Sequence, residues 1–208
     1  MKNASDVASP ASSSRQMRPS SARKRAAIID AARGLFLREG YERTSMDGIA
    51  AAAGVSKPTV YEHFGDKEGL FSVIVGASVE ALVQTIDLAA IEELAADRPL
   101  ASALLGFARR VVGDAISSSD YTVVRVLLGS EHPVAGLERQ SEEASQAVFS
   151  HHFAALADAG RIVTRNPGRA AQHFVALTLF LATEHGSDDD TDQVLKDGVD
   201  AFVRAYSR

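Results

Sequence analysis

The sequence predicts an all-α protein: an N-terminal three-helix head containing a helix-turn-helix, then a C-terminal helical bundle, about nine helices in total. Three observations carry this expectation. Apolar residues recur at three- and four-residue spacing, and strand-type alternation is absent along all 208 residues. Gly and Pro fall between the periodic runs, where helices stop and start. Hydrophobic residues make up 46% of the chain, which is enough for a sizeable core.

Residues 1–21 are rich in Ser and Ala, with Pro10 and Pro19, and read as a disordered tail. Its end is basic, through Arg15, Arg18 and then Arg23-Lys24-Arg25. Two readings stay open: an arm on phosphates or in a minor groove, or a solvated tail. No apolar h-region marks a signal peptide, and no apolar run approaches the roughly 18 residues of a membrane span. A cytoplasmic protein is expected. The absence of Cys excludes disulfides, thiol redox sensing and thiolate metal sites.

A helix is predicted from Ala22 to Glu39, with Ile28, Ala32, Leu35 and Phe36 on one stripe and Gly40 closing it. The stretch from Gly40 to Phe71, GYERTSMDGIAAAAGVSKPTVYEHFGDKEGLF, then holds two short helical patterns pinched around Gly54. A small residue at Ala50 lets two helices cross closely, and Gly54 can take the positive φ of a sharp inter-helix turn. Val55 and Val60 pin the second helix to the first. Thr44 or Ser45 suits the first N-cap, with Asp47 favourable in the opening turn. Ser56 suits the second, and Pro58 sits in a first turn where its missing N–H is harmless.

This segment resembles the DNA-binding domain of the TetR/AcrR family of transcriptional regulators. The resemblance rests on Gly40-Tyr41, Thr44-Ser45-Met46, Ile49-Ala50, Ala53-Gly54-Val55-Ser56, Thr59-Val60-Tyr61, His63-Phe64 and Lys67-Glu68-Gly69-Leu70-Phe71. It covers roughly Ala22 to Val75, with Pro58 standing where many relatives carry Gly or another small residue. It implies a head over 22–66 and a ligand-binding and dimerisation body over 67–208. It also implies a one-component regulator, most often a repressor, that binds a palindromic operator in double-stranded DNA as a homodimer under control of a small-molecule effector. No cofactor and no membrane partner are implied.

Charge is divided in the same sense. From Arg15 to Val75 ten Lys/Arg stand against seven Asp/Glu, a net +3, while from Gly76 to Arg208 eleven stand against nineteen, a net −8. Lys2 and Asp6 cancel, leaving −5 overall. The basic excess lies with the helix-turn-helix, as phosphate contact requires.

The DNA-facing candidates are Thr44, Ser45, Ser56, Lys57, Pro58, Thr59, Tyr61, His63 and Lys67. A recognition helix enters the major groove by its N-terminal end. Lys57, for guanine or phosphate, and Thr59, for thymine or a mixed contact, are therefore placed at base edges. Tyr61, Lys67 and Thr44 match phosphate-contacting positions of the family. His63 suits a phosphate-side or a base-reading role equally.

Downstream, Asp66 opens a helix running past Val83, followed by patterns over Leu100–Ile116, Asp120–Leu128, Val134–Ala159, Gly168–Thr183 and Thr191–Tyr206. His132-Pro133 breaks one run, and Asn166-Pro167 opens another as N-cap and N1 Pro. An apolar effector cavity of the family's kind is placed among Phe107, Val111, Val126, Leu127, Phe149, His152, Phe153 and Phe180. The dimer interface is placed on the last two helices, through Phe174, Leu177, Leu181, Val199 and Phe202, because the penultimate helix is apolar on more than one face. His151-His152, with His132, His173 and His185, reads as structural, since adjacent helical residues diverge by about 100°. Asp188-Asp189-Asp190 reads as a solvated loop. Two rival functions stand beside the leading one: a regulator governed by a protein partner without ligand, and a helical enzyme. Against the enzyme, the sequence holds no nucleotide loop, nucleophile elbow or metal motif.

Overall fold

The structure is a computed structural model that describes residues 19–128, 136–184 and 188–207. Among them the chain forms nine helices and no strand. The head comprises α1 (Pro19–Glu39), α2 (Met46–Ala53) and α3 (Lys57–Phe64). Helix α4 (Lys67–Glu93) leads into α5 (Leu100–Arg110), which continues as a π-helical segment (Val111–Ile116). Then come α6 (Ser119–Leu128) and α7 (Leu137–Asp158). Helix α8 starts at Pro167–Val175, loosens into a π-helical segment (Ala176–Phe180) and ends at Leu181–Glu184. The last helix, α9, is Asp188–Tyr206.

Two boundaries differ from the sequence expectation. Helix α1 opens at Pro19, so Pro19, Ser20 and Ser21, read as tail, form its first turn. Pro is well suited to a first helical position because its missing N–H is one of the unbonded ones there. Asp188-Asp189-Asp190 belongs to the opening turn of α9 rather than to a loop, a place where acidic residue types are favoured by the positive helix end. Arg15, Arg18, His132 and His185 lie outside the described residues.

Two apolar cores share α4. The head core joins Ile28, Ala32 and Phe36 of α1 to Ile49, Val60, Leu70 and Phe71, and takes in Val123, Leu127 and Leu137 from the body helices. Tyr41 closes it in a ring cluster, 5.6 Å from Phe36 and 4.9 Å from Phe71 between centroids. The body core is built on Phe107, Phe149, Phe153, Phe174 and Phe202, with successive ring centroids 5.2 to 6.0 Å apart. Val83 of α4 and Val124 of α6 pack on both. Contrary to the sequence expectation, α4 is long and apolar enough to cross a membrane by length and composition. Its apolar residues are instead divided between these cores, with Leu70, Phe71 and Val75 fully buried in one and Ala89 in the other.

Polar ties set the angles between elements. Arg33 of α1 reaches Asp120 at 3.0 Å and donates to Ser119 Oγ at 2.9 Å, and Ser78 of α4 donates to the same Asp120 carboxylate. Head and α6 are thereby joined through one carboxylate. Arg161 donates to the carbonyls of Leu94, Ala95 and Arg98 in the turn between α4 and α5, bracing that connection. Within α8 the buried Thr178 hydroxyl donates back to the Phe174 carbonyl at 2.6 Å, a contact that competes with the helical ladder where it widens into the π segment.

Helix α9 crosses α8 closely at Gly198, where an added Cβ would fall on the Leu177 carbonyl oxygen. Gly198→Ala is therefore expected to lower stability by about 1–3 kcal/mol through overpacking. For a protein of this size that moves the melting midpoint by about 2–4 °C per kcal/mol. An unchanged midpoint in a thermal melt would mean that the two backbones are not so closely seated.

Candidate nucleic-acid interface

The helix-turn-helix is set by Gly54. It adopts φ 65° and ψ 32°, a left-handed conformation that ends α2 and lets α3 depart at a steep angle. The turn closes with Val55 N–H donating to the Ala50 carbonyl at 3.0 Å. Ala50 and Ile49 beneath it are buried with Val60 of α3, so the two short helices are held by tertiary burial rather than by their own length.

The N-cap of α2 is Ser45, whose hydroxyl accepts from Gly48 N–H at 3.1 Å. Thr44 does not share this role. It is 3% exposed and its hydroxyl donates to the Gly40 carbonyl at 2.8 Å, pinning the loop after α1. That geometry turns the hydroxyl away from any anion outside. Ser56 has the backbone of an N-cap without the side-chain bond, and its Oγ lies 2.7 Å from Thr59 Oγ1. Lys57, Pro58 and Tyr61 are exposed along α3, while Thr59 and His63 are half-buried. The His63 ring lies beside Phe64, over which Arg25 of α1 is also placed at 5.4 Å.

Two lysines carry the positive charge of this region in different ways. Lys67 donates to the Tyr41 carbonyl at 2.9 Å and lies 4.1 Å from the Tyr41 ring centroid, so its ammonium clamps the loop between α1 and α2. Burial pushes the Tyr41 phenol above its usual range, reinforced by Glu68, Glu42 and Asp66. Lys57 pairs across the turn with Asp47 of α2 at 2.7 Å, and that hydrogen bond raises its pKa. From sequence, Asp47 reads only as part of a helix start. Its nearness to Lys57, ten positions away, appears once the turn geometry is in place.

The body does not assemble the cavity expected from sequence. Phe107, Val111 and Phe153 are buried in solid core, and Leu127 belongs to the head core. Val126 and Phe180 are 40% and 60% exposed. Helical period marks apolar faces but does not say which ring fills which space, and here phenyl groups packed mostly edge-on occupy the centre. Phe149 and Phe180 do border one groove of about 290 Å³ between α7 and α8. His152 lines a different cleft, where its Nε2 meets Asp87 Oδ1 at 2.7 Å. A cleft of about 510 Å³ between α4 and α7 is bordered by Gly76, Val79, Glu80, Val83, Leu137 and Gln140, none of them foreseen.

The interface residues also need correction. Phe174, Val199 and Phe202 lie in the chain's own core, at 0%, 2% and 0% exposure, and have no surface left for a partner. Leu177 is half-buried, and Leu181 is 40% exposed beside Phe180. The inner part of the wide apolar arc of α8 packs on α7 and α9 within one chain, while Phe180 and Leu181 stay on its outer side.

Replacing Lys67 by Met keeps the stem but removes the ammonium from two carbonyls and a ring. The expected loss is about 1–2 kcal/mol, from charged hydrogen bonds and a cation–π contact. It should be read as a lower urea midpoint with unchanged slope. A midpoint equal to that of the unaltered protein would place this ammonium in solvent.

Known proteins match the chain in the same two parts. Residues 28–74 match the family described as bacterial regulatory proteins, tetR family, and residues 102–208 match the AefR-like transcriptional repressor C-terminal domain. A solved structure from Mesorhizobium loti, assigned to the TetR family, superposes with a TM-score of 0.76 at 28% identity, covering 93% of this chain and 100% of that one. The flavonoid-responsive regulator FrrA superposes at 0.68 with 28% identity, over 89% and 98% of the two chains. Over 63 residues the sequence is 38% identical to the transcriptional activator FasR of Mycolicibacterium smegmatis, 30% of this chain and 29% of that protein. Matches to curated relatives of this kind span under a third of their length. With residues 28–74 and 102–208 matched, and the fold shared over 93% of the chain, this protein belongs to the TetR family of bacterial transcriptional regulators.

Proposed function

We propose that this regulator binds a palindromic operator as a homodimer, placing α3 of each subunit in a major groove, and that a small molecule bound in the body opposes that binding. The observation carrying the first part is the row Ser56, Lys57, Pro58, Thr59 and Tyr61 on the N-terminal half of α3. It stands at the surface of the one region with a basic excess. Base edges are read by residues at this end of a recognition helix, and Thr59 offers both a methyl group and a hydroxyl. Ser45 and Lys67 flank the row, with Lys67 acting on phosphates through the loop it holds.

Two-fold pairing follows from the small number of base contacts one head presents. Two half-sites about 34–36 Å apart supply the rest, and a closed dimer meets them with one surface used twice. The support for that surface is the outer side of α8, where Phe180 and Leu181 are exposed next to Ala176 and Thr183. For the effector, the cleft between α4 and α7 is of ligand size. It touches Val79 and Leu137, which also belong to the head core, so an occupant there acts on the element that carries the heads. A response to flavonoids is the property named for FrrA.

Selection of bound duplex from a random pool should return an inverted repeat, and affinity should fall linearly on a log–log salt plot with a slope of about −0.9 per phosphate neutralised. Thr59→Ala should cost about 1–3 kcal/mol on the selected site and relax one position per half-site. Equal losses on random duplex would contradict base reading by Thr59.

For the assembly, Phe180→Glu should give monomers in sedimentation and weaken operator binding while the helical signal is retained. A monomeric unaltered protein at micromolar concentration would remove the dimer reading. Effector and operator should oppose each other by about 1–3 kcal/mol in either order of addition, because coupling is reciprocal.

A further inference from the structure

The pair formed by Asp47 and Lys57 lies on the face that the proposed function turns toward DNA, and its role is inferred on that reading. Lys57 Nζ is 2.7 Å from Asp47 Oδ1, with the two side chains 54% and 64% exposed. The ammonium also lies 5.9 Å from the Tyr61 ring centroid, so a carboxylate and a ring hold it from two sides. A surface ion pair of this kind adds little to stability, and α2 already has its cap in Ser45.

What the pair retains is unused hydrogen-bonding capacity of both kinds. An ammonium has three donors, of which Asp47 takes one, and the carboxylate keeps lone pairs on both oxygens. A phosphate offers acceptors only. It is repelled by Asp47, and a neutral pair has no net charge with which to release counterions. A major-groove edge that sets acceptors beside a donor suits both members. Guanine presents N7 and O6 as acceptors, and its paired cytosine presents the N4 amino group as donor.

We propose that Asp47 and Lys57 read one G·C base pair per half-site as a unit, Lys57 donating to guanine and Asp47 accepting from the cytosine amino group, and that Asp47 withholds Lys57 from the phosphates of non-target DNA. Asp47 is then a specificity-determining residue: it lowers affinity for DNA in general and raises it for one sequence. A role limited to the helix dipole would instead alter stability alone.

The experiment compares the full chain with Asp47→Ala, Asp47→Asn and the double variant Asp47→Ala/Lys57→Ala, on the operator selected by the unaltered protein and on random duplex. With Asp47→Ala, random-duplex affinity should rise and its log–log salt slope should steepen by about 0.9 per head, one phosphate gained by the released Lys57. Operator affinity should fall about tenfold or more, and a repeated selection should lose the G·C preference at one position per half-site. Asp47→Asn, equal in size but uncharged, should steepen the slope alike, and the double variant should abolish the extra slope. Thermal melts separate this from misfolding, since a merely structural Asp47 lowers the midpoint and weakens both duplexes together. That result, or an unchanged slope and operator-to-random ratio in both single variants, overturns the proposal. An unaltered protein that binds no duplex overturns the DNA-binding reading beneath it, whereas an operator bound without any G·C preference affected by Asp47 overturns this proposal alone.

Discussion

Helix α4 is the constraint on which the rest of the molecule depends. Its 27 residues extend about 40 Å and belong to both cores, so neither the head nor the body is complete without it. Leu70 and Phe71 at one end close the space under α1, while Ile86, Ala89 and Ala90 at the other pack with α5 and α7. A rod shared in this way fixes the head and the body through one set of apolar contacts. The carboxylate of Asp120, held by Arg33 and Ser78, ties α1 and α4 to α6. Burial of apolar surface fixes the rod, and this small polar cluster sets its angle.

The head shows how short helices are made dependable. Eight-residue segments such as α2 and α3 are not stable alone. They persist because Ile49, Ala50 and Val60 bury against α1, because Gly54 supplies the one left-handed residue the turn requires, and because Lys67 and Thr44 hold the loop that precedes them. Two residues that resemble phosphate contacts thus also stiffen the platform, and the row on α3 is left at the surface.

In the body, close packing of rings leaves the clefts at the margins. Five phenyl groups fill the centre through edge and stacked contacts, so open volume lies along helix seams instead. The seam between α4 and α7 borders the head core, and the seam between α7 and α8 borders the exposed Phe180.

The sequence by itself determined the all-α class, the turn at Gly54, the cap at Asn166, and the family, because these depend on residues adjacent in the chain or on a motif of fixed spacing, whereas the choice of Ser45 over Thr44 as the cap of α2 came from the structure. Periodicity also found Phe174, Val199 and Phe202 as apolar, yet it could not tell a residue buried in its own subunit from one awaiting a partner. Both look alike on a helical stripe, and only the packing of α7, α8 and α9 decides between them. The same limit applies to the body cavity, whose expected lining includes solid core at Phe153 and open surface at Val126. Asp47 and Lys57 are separate features along the chain, a helix start and a groove-facing cation, until the turn brings them within 2.7 Å. Local patterns encode which residues are apolar and where helices end, whereas which side chains meet is a property of how those helices cross, and that was decided only by the tertiary structure.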